Sequence, residues 1–157
     1  MILTNQLLPS IALCLLFCVI SVDTKFPAGV EFKELKLCGP HDETARIKIS
    51  PWPFIPSGKP SNISVTFTPA VDVLAATIQW KLISESDGRI LASGIDNFCR
   101  FAADFCSLPA GETFVWTYCD LMRAIPPGIQ ITVRGVLELY NEDHKVFFCL
   151  DAVATIH

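Results

Sequence analysis

The sequence predicts an all-β fold, a two-sheet antiparallel sandwich built as one domain. Three observations predict it. Apolar and polar residues alternate with a period of two over several runs rich in β-branched and aromatic residues. Turn-forming residues separate those runs at short spacing. No stretch after the first twenty residues repeats apolar residues at helical spacing. The length of 157 residues fits a single domain, and no internal repeat or linker divides it.

Residues 1–22 carry no charged side chain, and Ile11–Ile20 is an unbroken apolar run. Ten residues rise about 15 Å as a helix, roughly half a bilayer core. The run is too short to span and suits the apolar core of a secretory signal peptide. Residues 1–21 are therefore expected to be a removed leader, cut after Ser21 or, as second choice, after Thr24, leaving 22–157 as the domain.

In the mature chain, Arg46–Ser50 precedes a stretch broken by Pro51, Pro53, Pro56 and Pro60. Ile63, Val65 and Phe67 then share one face against Ser64, Thr66 and Thr68. A run from Leu74 to Leu82 puts Ile78 and Trp80 opposite Thr77, Gln79 and Lys81. Ser86-Asp87-Gly88 reads as a hairpin turn into Arg89–Ile95. Phe114, Trp116 and Tyr118 alternate with Val115 and Thr117. Ile129, Ile131, Val133, Leu137 and Leu139 mark a long strand. Asn141–His144 turns it into Lys145–Ile156, where Phe147 and Phe148 place aromatics on both faces. About seven strands result, and stacking two sheets buries their apolar faces.

Composition removes several functions. Hydrophobic residues are 51% and charged residues 18%, which excludes a disordered, charge-rich chain. The net charge is −4 and no Lys/Arg block occurs, so no nucleic-acid groove is expected. Cys14 and Cys18 fall in the leader; Cys38, Cys99, Cys106, Cys119 and Cys149 remain. In an oxidising compartment disulfides are the default, and about fifteen two-bridge pairings are open. A Cys38–Cys149 bridge would close a loop of roughly a hundred residues, valued at about 4–5 kcal/mol by chain entropy. No C-x-x-C pair exists, so no metal is expected. Cys119 reads as a buried unpaired thiol or an intermolecular link. Asn62-Ile63-Ser64 is a glycan acceptor triplet.

The order of these features resembles one family. Cys38 leads through Pro53-Phe54-Ile55-Pro56-Ser57-Gly58-Lys59-Pro60 to the Asn62–Thr68 strand. The close pair Cys99 and Cys106 follows, then Leu108-Pro109-Ala110-Gly111-Glu112, Ile125-Pro126-Pro127-Gly128, a long strand, and Cys149 in the last strand. Residues 35–157 thus resemble the ML (MD-2-related lipid-recognition) family. The resemblance implies an immunoglobulin-like sandwich whose sheets splay around a lipid, with disulfides Cys38–Cys149 and Cys99–Cys106. Cys119 departs from the family's simplest cysteine patterns.

A lipid carrier needs no catalytic motif and no cofactor. Each buried methylene contributes about 0.8 kcal/mol, so a sixteen-carbon chain offers about 12 kcal/mol before ordering costs. The expected cavity wall is Val65, Phe67, Ile78, Trp80, Phe114, Trp116, Ile131, Val133 and Phe148; the same residues would equally fill a closed core. The expected entrance is the Cys119–Pro127 segment, with Leu121, Met122 and Ile125 apolar and Arg123 suited to a phosphate or sulfate. Pro51–Phe54 is a second apolar loop. The expected partners are a lipid (sterol, phospholipid or glycolipid), a transiently touched membrane surface and an acceptor protein, and the expected location is secreted or lysosomal. Two other readings stand beside the carrier. One is a closed immunoglobulin-like interaction module. The other is a hydrolase using Asp96, Asp104, Glu112 or Asp120 with His41 or His144, which has no G-x-S-x-G or H-E-x-x-H to support it.

Overall fold

The computed structural model describes residues 28–39, 44–121, 125–126 and 128–157. The expected leader, His41, Met122, Arg123 and Pro127 lie outside the described residues. The strands are β1 (Gly29–Leu37), β2 (Arg46–Ser50), β3 (Phe54–Pro56), β4 (Pro60–Phe67), β5 (Thr77–Ser84), β6 (Ile90–Asn97), β7 (Phe114–Leu121), β8 (Ile131–Tyr140) and β9 (Val146–Ile156). Two antiparallel sheets form, one ordered β3-β1-β9-β8-β5-β6 and the other β2-β4-β7. Among the described residues the only helical pieces are two 3-10 turns, Phe98–Arg100 and Ala103–Cys106.

Alternation accounts for most of these strands, and its failures have local causes. In β1, Val30, Phe32, Leu35 and Leu37 sit opposite Ile156, Ala154, Ala152 and Leu150 of β9. A register shift between Phe32 and Glu34 inserts one residue and breaks the period of two, which hides the strand in the sequence. β3 is three residues long inside the proline-rich stretch and has no period to detect. The run expected from Leu74 starts instead at Thr77. Val73 makes an isolated bridge to Leu108, and the Leu74 and Ala75 amides donate to the Glu142 carboxylate. Leu74 is therefore 70% exposed instead of facing inward.

The double aromatic in β9 has a similar explanation. The β8–β9 register shifts beside Leu139 and Tyr140, so Phe147 is the extra residue. Both Phe147 and Phe148 then reach Phe67, at ring-centroid distances of 6.2 and 5.3 Å. Phe67 is 1% exposed and also meets Phe105 and Phe114. This aromatic knot fills the space between the sheets at one end.

That end is also stapled covalently. Cys38, just past β1, bonds to Cys149 of β9 across 111 positions. Cys99 and Cys106 join the two 3-10 turns that carry the chain from β6 to β7. Phe98 and Phe105 from those turns pack edge-on against Trp116 of β7. The turns thus bridge the two sheets and close this end.

Candidate lipid-binding site

At the opposite end the inward faces are not covered. On β5, Ile78, Trp80 and Leu82 pair with Leu139, Leu137 and Gly135 of β8 and share the interior face. On β7, Phe114, Trp116 and Tyr118 sit across from Phe67, Val65 and Ile63 of β4 and face the same interior. Exposure rises away from the aromatic knot along the inward residues of β7, and from Ile78 to Trp80 on β5. Ile78 is partly buried but Trp80 is 39% exposed; Trp116 is partly buried but Tyr118 is 42% exposed. Two large aromatics that point between the sheets yet stay open to solvent define a mouth.

Sheet size creates that mouth. Among the described residues the larger sheet carries six strands and the smaller one three, and no strand continues the smaller sheet beyond β7 to cover β5 and β6. Trp80 pairs with Gly94 of β6. A Cβ on Gly94 would come within 2.7 Å of the Trp80 indole nitrogen, so the missing side chain makes room for the ring. Trp116 and Tyr118 stack on each other at 5.4 Å and 13°, forming a continuous aromatic surface on the β7 side.

Apolar side chains also crowd the outer surface of this end. Leu121 is 59% exposed, Ile129 43% and Ile90 56%. The Ile125 amide donates to Ser57 Oγ at 2.8 Å, tying the end of the β7–β8 connection to the β3–β4 turn. Charge here is modest. In the β5–β6 turn, the Ser84 hydroxyl and then the Arg89 amide hold the Asp87 carboxyl below the usual carboxylate range. An ion pair lies elsewhere, on the outer face of the six-stranded sheet, where Arg134 Nε donates to Asp151 at 2.9 and 3.2 Å.

Among solved structures, this architecture is shared with chicken MD-1 complexed with lipid IVa. The TM-score is 0.61, with 16% identity over 83% of this chain and 99% of that one. This chain has the fold of MD-1. A Niemann-Pick type C2 protein from the Japanese carpenter ant also matches, with TM-score 0.49, 17% identity, and coverage of 83% and 93%. No protein-family model and no curated protein matches the sequence. The two-sheet antiparallel β-sandwich expected from the sequence is thus the observed fold class.

The structure sorts the expected wall residues into two groups. Val65, Phe67 and Phe148 are fully buried in the aromatic core, with Ile78, Phe114 and Trp116 packed against it. Phe67 and Phe148 therefore lie in the core at the closed end. Trp80, Ile131 and Val133 lie nearer the open end of the same interior face, and Val133 is buried against it. Leu121 is not in a loop: β7 runs through it, and its register opposite Pro60 puts it on the outer face with Val115 and Cys119. It lines the rim and not the interior. Ile125 sits at the open end, as described above.

Tyr118 and Leu82 complete the mouth and were not among the expected wall residues. Their places in the alternating runs were the available signal. Cys119 is exposed, not buried, and carries a free thiol. Asn62 is its cross-strand neighbour on the outer face. Of the carboxylates in the hydrolase reading, Asp96 stands 4.0 Å from Arg100, while Asp104 and Glu112 line one recess near the 3-10 turns. Among the described residues, no three His, Cys, Asp or Glu side chains gather into a metal-type cluster. No helix among them is long and apolar enough to cross a membrane.

Proposed function

We propose that this protein is a secreted or lysosomal lipid carrier that holds an acyl or sterol body between its two sheets. The single observation that carries this reading is the uncovered inner surface around Trp80 and Tyr118, which lies beyond a fully packed aromatic core. Solvent-exposed inward aromatics are unfavourable in a closed sandwich, and burying them against a lipid recovers the hydrophobic term. That a protein of the same fold is known in complex with lipid IVa supports the reading. The exposed rim of Leu121, Ile129 and Ile90 suits brief contact with a membrane surface from which a lipid is withdrawn. A glycan at Asn62, on the outer face of β4, would leave the interior clear.

The reading requires no bond change; the lipid enters, is shielded, and leaves for a membrane or an acceptor protein. Its test is direct. The protein is produced through a secretory host, washed, and extracted with organic solvent for mass spectrometry. One lipid class at near-stoichiometric amount is expected. An empty extract, together with no uptake of fluorescent sterol or phospholipid, would favour a closed interaction module instead.

A further inference from the structure

Among the described residues the two sheets end in four outer strands, β3 and β6 on one and β2 and β7 on the other. An outer strand leaves a row of N–H and C=O groups unpaired, which proteins protect with short strands, proline or charge. β3 is three residues long and sits among prolines. β2 carries Arg46 and Lys48. β7 has an acid towards each end, Glu112 shortly before it and Asp120 within it. β6 is different. Its eight residues, Ile90–Asn97, hold no proline, no lysine and a single charge, Asp96.

This edge is also apolar. Ile95 is 70% exposed, Ile90 56% and Leu91 38%. A register shift against β5 inserts Leu91, so Ile90, opposite Ile83, and Ile95, opposite Gln79, both lie on the outer face. Ala92 and Gly94, opposite Leu82 and Trp80, are small and face inward. Charge is placed at the two ends. The turn before β6 holds Asp87 and Arg89 at 3.8 Å, and the far end holds Asp96 and Arg100 at 4.0 Å. Both pairs are long and solvent-exposed.

We propose that β6 is a self-association edge that joins a second copy of this chain through an antiparallel β6–β6 pair. Centred on Ser93, the pairing sets Leu91 of each copy opposite Ile95 of the other, and Ala92 opposite Gly94. Aliphatic side chains then meet on the outer face and small ones on the inner face. The Asp87–Arg89 end of one copy comes to the Asp96–Arg100 end of the other, so opposite charges meet at both ends. Self-pairing of β7 would instead bring acid to acid. Lys81, opposite Ser93 on β5, stands three strand spacings from its counterpart, about 14 Å, which is beyond a Debye length at physiological salt. A twofold axis through Ser93, perpendicular to the sheet, keeps inner face with inner face. The six-stranded sheet doubles in width, and the two Trp80 mouths open side by side. The dimer does not depend on the carrier reading.

Directly opposed residues of an antiparallel pair have Cα atoms about 4.5–5.5 Å apart, within disulfide range. S93C in a C119S background should therefore lock into a covalent dimer under mild oxidation. In analytical ultracentrifugation the unaltered protein should show a monomer–dimer equilibrium. I95K, at a position already exposed, should raise the dissociation constant at least tenfold while leaving the circular-dichroism spectrum unchanged. A dimer indifferent to I95K, or one that locks through Cys119 and not through S93C, would overturn the β6 pairing. A monomer at every concentration would overturn it too; loss of phosphatidylcholine-vesicle binding by I95K would then assign the strip to a membrane.

Discussion

The two ends of the sandwich use the same kind of residue for opposite purposes. At the end carrying Cys99–Cys106, Phe67, Phe105, Phe114, Phe147 and Phe148 pack ring against ring, and Phe67, Phe105 and Phe147 are each 1–2% exposed. At the other end, Trp80 and Tyr118 point into the same interior but keep about two-fifths of their surface in solvent. The difference is not composition. At the first end the 3-10 turns bridge the sheets from β6 to β7 and bring Phe98 and Phe105 to fill the gap. At the second, β5 and β6 overhang a smaller sheet. One end is therefore packed and the other open.

The comparison is broken most severely by opening the long covalent loop. Replacing Cys38 and Cys149 with serine should cost about 5 kcal/mol, against about 2.5 kcal/mol for Cys99 and Cys106, because the first bridge spans 111 positions and the second 7. Urea unfolding of the two double variants measures the gap; equal losses would show that loop entropy does not govern it. Phe67→Ala should come next, at about 3–5 kcal/mol, since it empties the centre of the aromatic knot. Trp80→Ala should cost less in the same assay, about 2 kcal/mol, while weakening lipid uptake, because about two-fifths of the residue stays in solvent in the unliganded protein. Should Trp80→Ala destabilise as much as Phe67→Ala, the open end would prove to be core.

A subtler variant sharpens the same contrast. Gly94→Val places a branched side chain where the Trp80 indole lies. Displacing the ring into the mouth should reduce uptake of fluorescent lipid several-fold with little change in the unfolding midpoint. The smallest effect concerns pH. Hydrogen bonding from Arg134, and then its charge, holds the Asp151 carboxyl below the usual range, and Glu142 is held low chiefly by backbone amides, including that of Leu74. A depressed carboxyl stabilises the fold above its unfolded pKa, near 4, and that contribution fades as pH falls through the lower folded value. Stability should thus hold from neutrality to about pH 5 and decline only below about pH 4. Asp151→Asn should flatten the acid limb of a melting-temperature profile and leave its neutral value slightly lower.

Much of this was legible from period two alone. The runs through Val65, Trp116 and Val133 identified sheet-forming segments and their inward faces, because a half-buried strand must alternate. Strands were missed where the period fails: at the β1 bulge and in the three-residue β3. Leu121 read as a loop residue because proline lies nearby, whereas β7 runs through it and its register sends that side chain outward.

The sequence by itself determined the fold class, the turn positions and which side chains face between the sheets, since these depend on neighbours along the chain. Only the tertiary structure decided which inward residues are packed and which are open. Phe67 and Trp80 occupy equivalent positions in alternating runs, and nothing local distinguishes them. Their fates are set by what stands across the gap: for Phe67 a second sheet, a bulge and two 3-10 turns; for Trp80 the space beyond the last strand of a narrower sheet. Burial is a property of the partner, and the partner is chosen by topology.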